Sequence, residues 1–302
     1  MARTRFPADR GLASRMLVTM FLLGLLYVVF VAILLAVSSS AIVALVVAGG
    51  FLAVQYFASD RIALAVMGAK VVSPQQQPEL HGVVDRLCAL ADMPKPRVAI
   101  ADVDIPNAFA TGRSPDKSVV CVTEGLLRRL DEPELEAVLA HELSHIAHRD
   151  VAVMTVASFL GLAAGLVVRF AFYAQLFGGR RDSREGGLPV VLVVMLVSAV
   201  VYAISFLLTR ALSRYRELSA DRAAAMVTGR PSTLAAALVK ISGEMSRIPT
   251  RDLRSAEPLN AFFFIPALAP GFSLSSLFST HPTLERRLEQ LARLEAESGP
   301  AA

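Results

Sequence analysis

The sequence has no tryptophan, two cysteines and few charges, and each shortage removes a class of protein. Cys88 and Cys121 are too few and too far apart for a disulfide framework or a thiolate metal site. Their scarcity fits a reducing compartment. Charged residues make up 19% of the chain and hydrophobic residues 54%, where a soluble domain carries roughly 25% charge. That balance excludes a disordered or collagen-like chain and favours a membrane protein. The net charge of +4 raises the question of nucleic acid. Without tryptophan, and without a basic run interleaved with aromatics, no nucleic-acid partner is expected, and anionic lipid headgroups are the better counter-charge. No internal repeat is found.

Long apolar runs are what the sequence does have. The run 16–37 is uncharged and long enough, at 1.5 Å per residue, to cross a hydrocarbon core of about 30 Å. After three serines a second run, 41–58, contains only Gln55 as a strongly polar residue. Four arginines before the first run, with Ala36-Val37-Ser38 after it, raise the alternative of a signal peptide. A signal peptide has an apolar core of about 7–15 residues, and here a second run follows at once, so a transmembrane hairpin is expected. A third run, 151–177, contains Arg169, which has to snorkel or be shielded, leaving a re-entrant segment open. The fourth, 188–209, is a clean span. The chain therefore divides into a basic arm (1–15), a membrane hairpin (16–58), a first soluble half (59–150), a second hairpin (151–209) and a second soluble half (210–302).

Arginines 3, 5, 10 and 15 precede the first run, and arginines 210, 214, 216 and 222 follow the fourth. The positive-inside rule then places both termini and both soluble halves in the cytoplasm. Arg180, Arg181 and Arg184 argue the other way, offset in part by Asp182 and Glu185. In the first soluble half, prolines 74, 78, 94 and 96 bracket a helix over 79–91. Strands are expected over 97–101 and 118–123, with a third over 107–111. Asp131 as N-cap, Pro133 in the first turn and Glu134 three residues on open a further helix.

That helix reads His141-Glu142-Leu143-Ser144-His145. At 3.6 residues per turn the two histidines share a face one turn apart, so both rings can reach one ion. Glu142 lies beside them, where a carboxylate can take a proton from water. Two neutral imidazoles suit Zn²⁺, one per chain. A catalytic zinc needs a third protein ligand and an open fourth position. His148 is nearest, but an unbroken helix would set it about 10 Å along the axis from His141, too far to close a tetrahedron. Glu217 and Asp221 again share a helical face, one able to hold the metal while the other fixes a histidine ring. Spacing alone leaves them in competition with Glu244 and Glu257.

HELSH at the mouth of an apolar run, a membrane hairpin and then Arg216-Glu217-Leu218-Ser219-Ala220-Asp221 resemble the HtpX-type membrane zinc metalloproteases, relatives of the prenyl-protein endoproteases that trim CAAX proteins. Pro106 to Gly112 and Ser279-Thr280-His281-Pro282 extend the resemblance over nearly the whole chain. It implies a mostly α integral membrane protein with about four transmembrane helices and a zincin-like α+β cytoplasmic catalytic domain containing a small sheet. It also implies His141, His145 and Glu217 as zinc ligands, Glu142 as catalytic base and Asp221 as the group behind a ligand. By the same resemblance the site faces the cytoplasm of a bacterial inner membrane and degrades damaged membrane proteins.

Two further expectations accompany it. Asn107, Ala108, Phe109 and Ala110 alternate in polarity, and a substrate can bind as an added strand along such a segment. His281 either caps the amphipathic helix carrying Leu284, Leu288, Leu291 and Leu294 or, as the resemblance suggests, stabilises an oxyanion. The linker 252–278 reads as a lid over the substrate or as a membrane-touching loop. Three rival readings are weaker. A protease cutting inside the bilayer would not precede its motif with Arg128, Arg129, Asp131, Glu132, Glu134 and Glu136. A zinc-stabilised scaffold has no use for Glu142, and a transporter finds little support in Arg169 alone.

Overall fold

The computed structural model describes residues 10–37, 41–150, 153–154, 190–247 and 281–298. Arg169, the arginines at 180–184, Glu257 and the linker 252–278 lie outside the described residues. The described residues divide into two compact units, one drawn from 10–12, 57–150, 213–247 and 281–298, the other from 13–37, 41–56, 153–154 and 190–212.

The second unit is helical. It draws on α1 (Arg10–Val37), α2 (Ala41–Val66) and the first part of α6 (Val190–Thr228). Two stretches, Ser14–Ala32 and Met195–Thr228, are long and apolar enough to cross a membrane. Leu23, Phe30, Val201 and Leu212 form its buried cluster. The sequence separates a fourth span ending at 209 from a later helix, whereas the structure has one helix of 39 residues. The reason is local: no glycine or proline interrupts 190–228. It ends where Gly229 turns to φ 65°, with its N–H on the Ala225 carbonyl and Pro231 two residues beyond.

The first unit is built on four strands: β1 (Ala69–Val71), β2 (Arg97–Ala101), β3 (Ala108–Gly112) and β4 (Ser118–Thr123). They are ordered β1-β2-β4-β3, with β2 and β4 parallel and both outer pairs antiparallel. Alternation along the strands covers both faces. Val98, Val120, Val122 and Ala108 pack into a large core with α3 (Pro78–Ala91) and α5 (Glu132–Ala147). Ala99, Ala101, Val119, Cys121 and Phe109 face Ala63 and Met67 at the end of α2. The short α4 (Glu124–Leu127), α7 (Pro231–Arg247) and α8 (Leu284–Ser298) complete the unit. Gly112, at φ 124°, ends β3 where a Cβ would run into the Lys117 carbonyl and the Ser118 backbone, so only glycine fits.

Helix α5 starts as its sequence indicates. The Asp131 carboxylate accepts from the Glu134 N–H at 2.9 Å, and the Glu134 side chain accepts from the Asp131 N–H at 3.1 Å. Its end departs from expectation. The sequence has no glycine there and reads as unbroken helix, yet α5 stops at Ala147, His148 is the C-cap and Arg149 turns to φ 57°. A left-handed residue replaces the missing glycine.

Candidate metal centre

Two helices of the first unit, α5 and α6, bring three side chains to one buried point. From α5, His141 and His145 present Nε2 atoms 3.2 Å apart. From α6, Glu217 brings its carboxylate oxygens to 3.6 Å from His141 Nε2 and 3.5 Å from His145 Nε2. The three side chains form the metal-capable cluster of the described residues, and all are buried. These spacings match the edges of a tetrahedron around an ion bonded at about 2.05 Å, which are about 3.3 Å.

Each ring is held from behind. His141 Nδ1 lies 2.9 Å from Asp221 Oδ1, and Asp221 receives both the Nε and an Nη of Arg287 at 2.8 and 2.6 Å. His145 Nδ1 lies 2.7 Å from Asp150 Oδ2, and Arg216 Nε lies 3.1 Å from the same oxygen. With a carboxylate beside each Nδ1, the tautomer that carries its hydrogen there leaves both Nε2 lone pairs facing each other and Glu217. That arrangement is repulsive without a positive charge between them. Four buried carboxylates, Glu142, Asp150, Glu217 and Asp221, stand against two buried guanidinium groups, Arg216 and Arg287. Asp150 pairs with Arg216 and Asp221 with Arg287, which leaves the Glu217 carboxylate as the charged donor beside two imidazoles, a set that a divalent cation takes. The donor set therefore fits such an ion.

Burial and neighbouring charges shift the groups of the site in different directions. Burial alone would raise the Glu217 pKa, but His281, His141 and His145 hold it well below the usual carboxylate range. Burial disfavours charge on His145, yet Asp150 and Glu217 raise its pKa to about 9, so the pocket draws positive charge to that ring. Glu142 goes the other way: desolvation raises its pKa against the lowering influence of the histidines.

Of the residues expected from sequence, His141, His145, Glu217 and Asp221 come together, with Glu142 buried next to His141 on α5. His148 is outside the cluster, its Nδ1 bonded to the Ser144 carbonyl at 2.8 Å. Glu244 instead accepts from Arg129 Nε at 3.2 Å. His281 is not a cap. The Thr283 hydroxyl takes that place, accepting from the Arg286 N–H at 3.4 Å, while His281 Nδ1 lies 3.1 Å from Glu217 Oε2. Asn107 is buried just before β3, with its N–H on the Thr123 hydroxyl and its carbonyl on the Thr123 N–H, both at 2.9 Å. β3 is an edge strand, paired with β4 on one side only among the described strands. Sequence reasoning missed Asp150, Arg216 and Arg287. Asp150 and Arg216 adjoin recognised motifs, but only the fold shows which side chains they meet.

Known proteins bear on this geometry. The family model described as Peptidase family M48 matches residues 74–295. The chain is 62% identical over 299 residues to "Protease HtpX homolog 1" of Streptomyces coelicolor, covering 99% of this chain and 98% of that one. It is 55% identical over 296 residues to "Protease HtpX homolog" of Moorella thermoacetica, covering 98% of each. Among solved structures, the crystal structure of S. mikatae Ste24p is similar, with a TM-score of 0.52 at 18% identity, over 94% of this chain and 67% of that one. That last likeness is one of fold.

Proposed function

The chain belongs to peptidase family M48 and is a membrane-associated metalloprotease, and from that premise we propose that it is a zinc endopeptidase acting on damaged or misfolded membrane proteins at the cytoplasmic face of the cell membrane. The observation that carries this reading is the convergence of His141 Nε2, His145 Nε2 and the Glu217 carboxylate, with Glu142 buried beside them. His141, His145 and Glu217 are the residues that would hold Zn²⁺. Bound there, Zn²⁺ supplies polarisation of the scissile carbonyl and acidification of a water.

The chain's own residues do the rest. Glu142 takes the proton from the attacking water and returns it to the leaving amine. A carboxyl whose burial raises its pKa is suited to holding a proton between those two moments. Asp221 orients His141. Asn107, Ala108, Phe109 and Ala110 border the substrate, with the outer edge of β3 pairing to the extended chain. His281 donates to the developing oxyanion. Replacing His281 by Phe then lowers kcat with little change in zinc content, and normal turnover by that variant would remove this role.

Membrane placement supports the substrate class. Glu217 lies eight residues beyond Thr209 on the same helix, about 12 Å along its axis. About four spans give a multi-pass topology with both soluble halves in the cytoplasm, and contact with the surrounding lipid. A substrate loop at the membrane surface is then within reach.

The test is proteolysis by the detergent-purified full chain of an unfolded protein substrate, before and after chelation and zinc return. The wild type should cut only with zinc. Glu142→Ala should keep zinc and lose about 10²–10⁴-fold in rate, while His141→Ala should lose both. If wild type and Glu142→Ala each bind one zinc and neither cuts any substrate, the scaffold reading replaces this one.

A further inference from the structure

The break at the end of α5 has a consequence for the metal centre. Had the helix continued, Asp150 would lie five residues beyond His145 and well around the axis from it. Instead the left-handed turn at Arg149 breaks the helix, and the Asp150 carboxylate meets the ring of His145. A left-handed arginine is disfavoured relative to helical backbone, because its Cβ crowds the following carbonyl oxygen. Such a conformation persists where the surroundings over-determine it. Here they do: Asp150 Oδ2 accepts from His145 Nδ1 at 2.7 Å and forms an ion pair with Arg216, whose Nε lies 3.1 Å away.

We propose that Asp150 is a positioning residue for His145, aimed by the Arg149 turn and held by Arg216, and that it fixes the ring with Nδ1 protonated and Nε2 turned to the metal. This rests on the metal-centre reading above. Asp150 does for His145 what Asp221 does for His141. The two supports differ in origin, because Asp221 is locked by Arg287 from α8, whereas Asp150 is locked by Arg216, the residue next to the ligand Glu217 on α6. Helix α6 thereby sets one ligand directly and the supports of both histidines.

The geometry also specifies a conservative variant. Asp150 Oδ2 accepts from His145 Nδ1 and lies in ion-pair distance of Arg216, while Oδ1 has no hydrogen-bond partner among the described residues. Asparagine can offer its single carbonyl oxygen in the place of Oδ2. Asp150→Asn therefore keeps the acceptor that His145 needs, and Asp150→Ala removes it.

The experiment uses detergent-solubilised full chain and two probes, Zn²⁺ affinity by chelator competition and the visible absorption spectrum of the Co²⁺-substituted protein. Asp150→Ala should weaken Zn²⁺ about 10–100-fold and alter the Co²⁺ spectrum. Asp150→Asn should recover part of the affinity that Asp150→Ala loses, with the spectrum restored, because it keeps the acceptor while leaving Arg216 without its counter-charge. Arg216→Lys keeps the charge but shortens and narrows the group that pairs with Asp150, and should weaken Zn²⁺ by a smaller factor. It carries the test if Asp150→Ala fails to fold. Wild-type affinity and spectrum in Asp150→Ala or, where that variant does not fold, in Arg216→Lys overturn the proposal. So does an Asp150→Asn as weak as Asp150→Ala, because the acceptor would then not be what the ring requires. A wild-type chain that binds neither Zn²⁺ nor Co²⁺ overturns the metal-centre reading itself, a result visible before any variant is compared.

Discussion

The two units place their side chains by opposite rules. In the first, charge is inside: Asp150, Asp221, Arg216, Arg287 and His141 are buried, and each faces a partner of complementary charge or hydrogen-bonding sense. In the second, Leu17, Phe21 and Leu196 are each about two-thirds exposed or more. Buried charge survives only when paired, since an unpaired ion in a poorly polarisable interior costs several kcal/mol. Outward leucine and phenylalanine over whole helices survive only where the surrounding medium is itself apolar. One unit is thus solved for water around an ionic centre and the other for lipid around a plain one.

The sharpest way to break the first rule is to remove one member of the best-made pair. Arg287 grips both oxygens of Asp221 and is almost wholly buried. Arg287→Ala leaves that carboxylate buried without its guanidinium, and should destabilise the protein by about 3–5 kcal/mol. Denaturant unfolding in detergent measures it. Zinc affinity should fall as well, because Asp221 would no longer be held against His141. Arg287→Lys should recover part of the stability, but less of the affinity, since one ammonium cannot span both oxygens.

The second rule is tested on the outward face of α6. Val200 is half exposed near the middle of the apolar stretch of that helix. In water, an exposed valine changed to arginine is nearly neutral. In a bilayer centre the same change costs about 2.5–3.5 kcal/mol on the insertion scale. Val200→Arg should therefore reduce the membrane-inserted fraction, read as protein extractable by alkaline carbonate, while Zn²⁺ binding by the inserted remainder is unchanged. Full insertion of the variant would show that this face does not meet lipid.

How much of this was legible follows from how local each signal is. The capping box at Asp131 and the HELSH spacing lie within a few turns of one helix, so the residues alone specify where α5 begins and that its histidines converge. Glu217 and Asp221 were legible as a pair on one face, but spacing could not say which would reach the metal, because that depends on the rotation of α6 against α5. Family resemblance separated them. The end of α5 was misread because Arg149 adopts a conformation that sequence assigns to glycine, and with it went the role of Asp150. Arg287 was hidden for a different reason. It lies on a helix whose leucine stripe is readable, yet its target is 66 residues earlier. β1 is only three residues long and takes its structure from pairing with β2, not from its own propensity.

The smallest effect separates backbone strain that is incidental from strain that aims a group. Asp92 and Arg149 are the non-glycine residues with positive φ among those described, at 50° and 57°. Both follow helices. Asp92 is exposed, and its N–H closes α3 on the Cys88 carbonyl, a position where glycine is the usual choice. Asp92→Gly relieves the left-handed penalty but adds freedom to the unfolded chain, so the net gain should be about 0.5 kcal/mol. That corresponds to a rise of about 1–2 °C in the thermal midpoint, with zinc affinity unchanged. Arg149→Gly relieves the same penalty and should gain similar stability. It also loosens the turn that carries Asp150, so its zinc affinity should fall by about two- to fivefold, below the loss typical of removing a supporting carboxylate outright. Equal zinc affinity in the two variants would mean that the Arg149 turn merely ends a helix, and that the pull of Arg216 alone sets the position of Asp150.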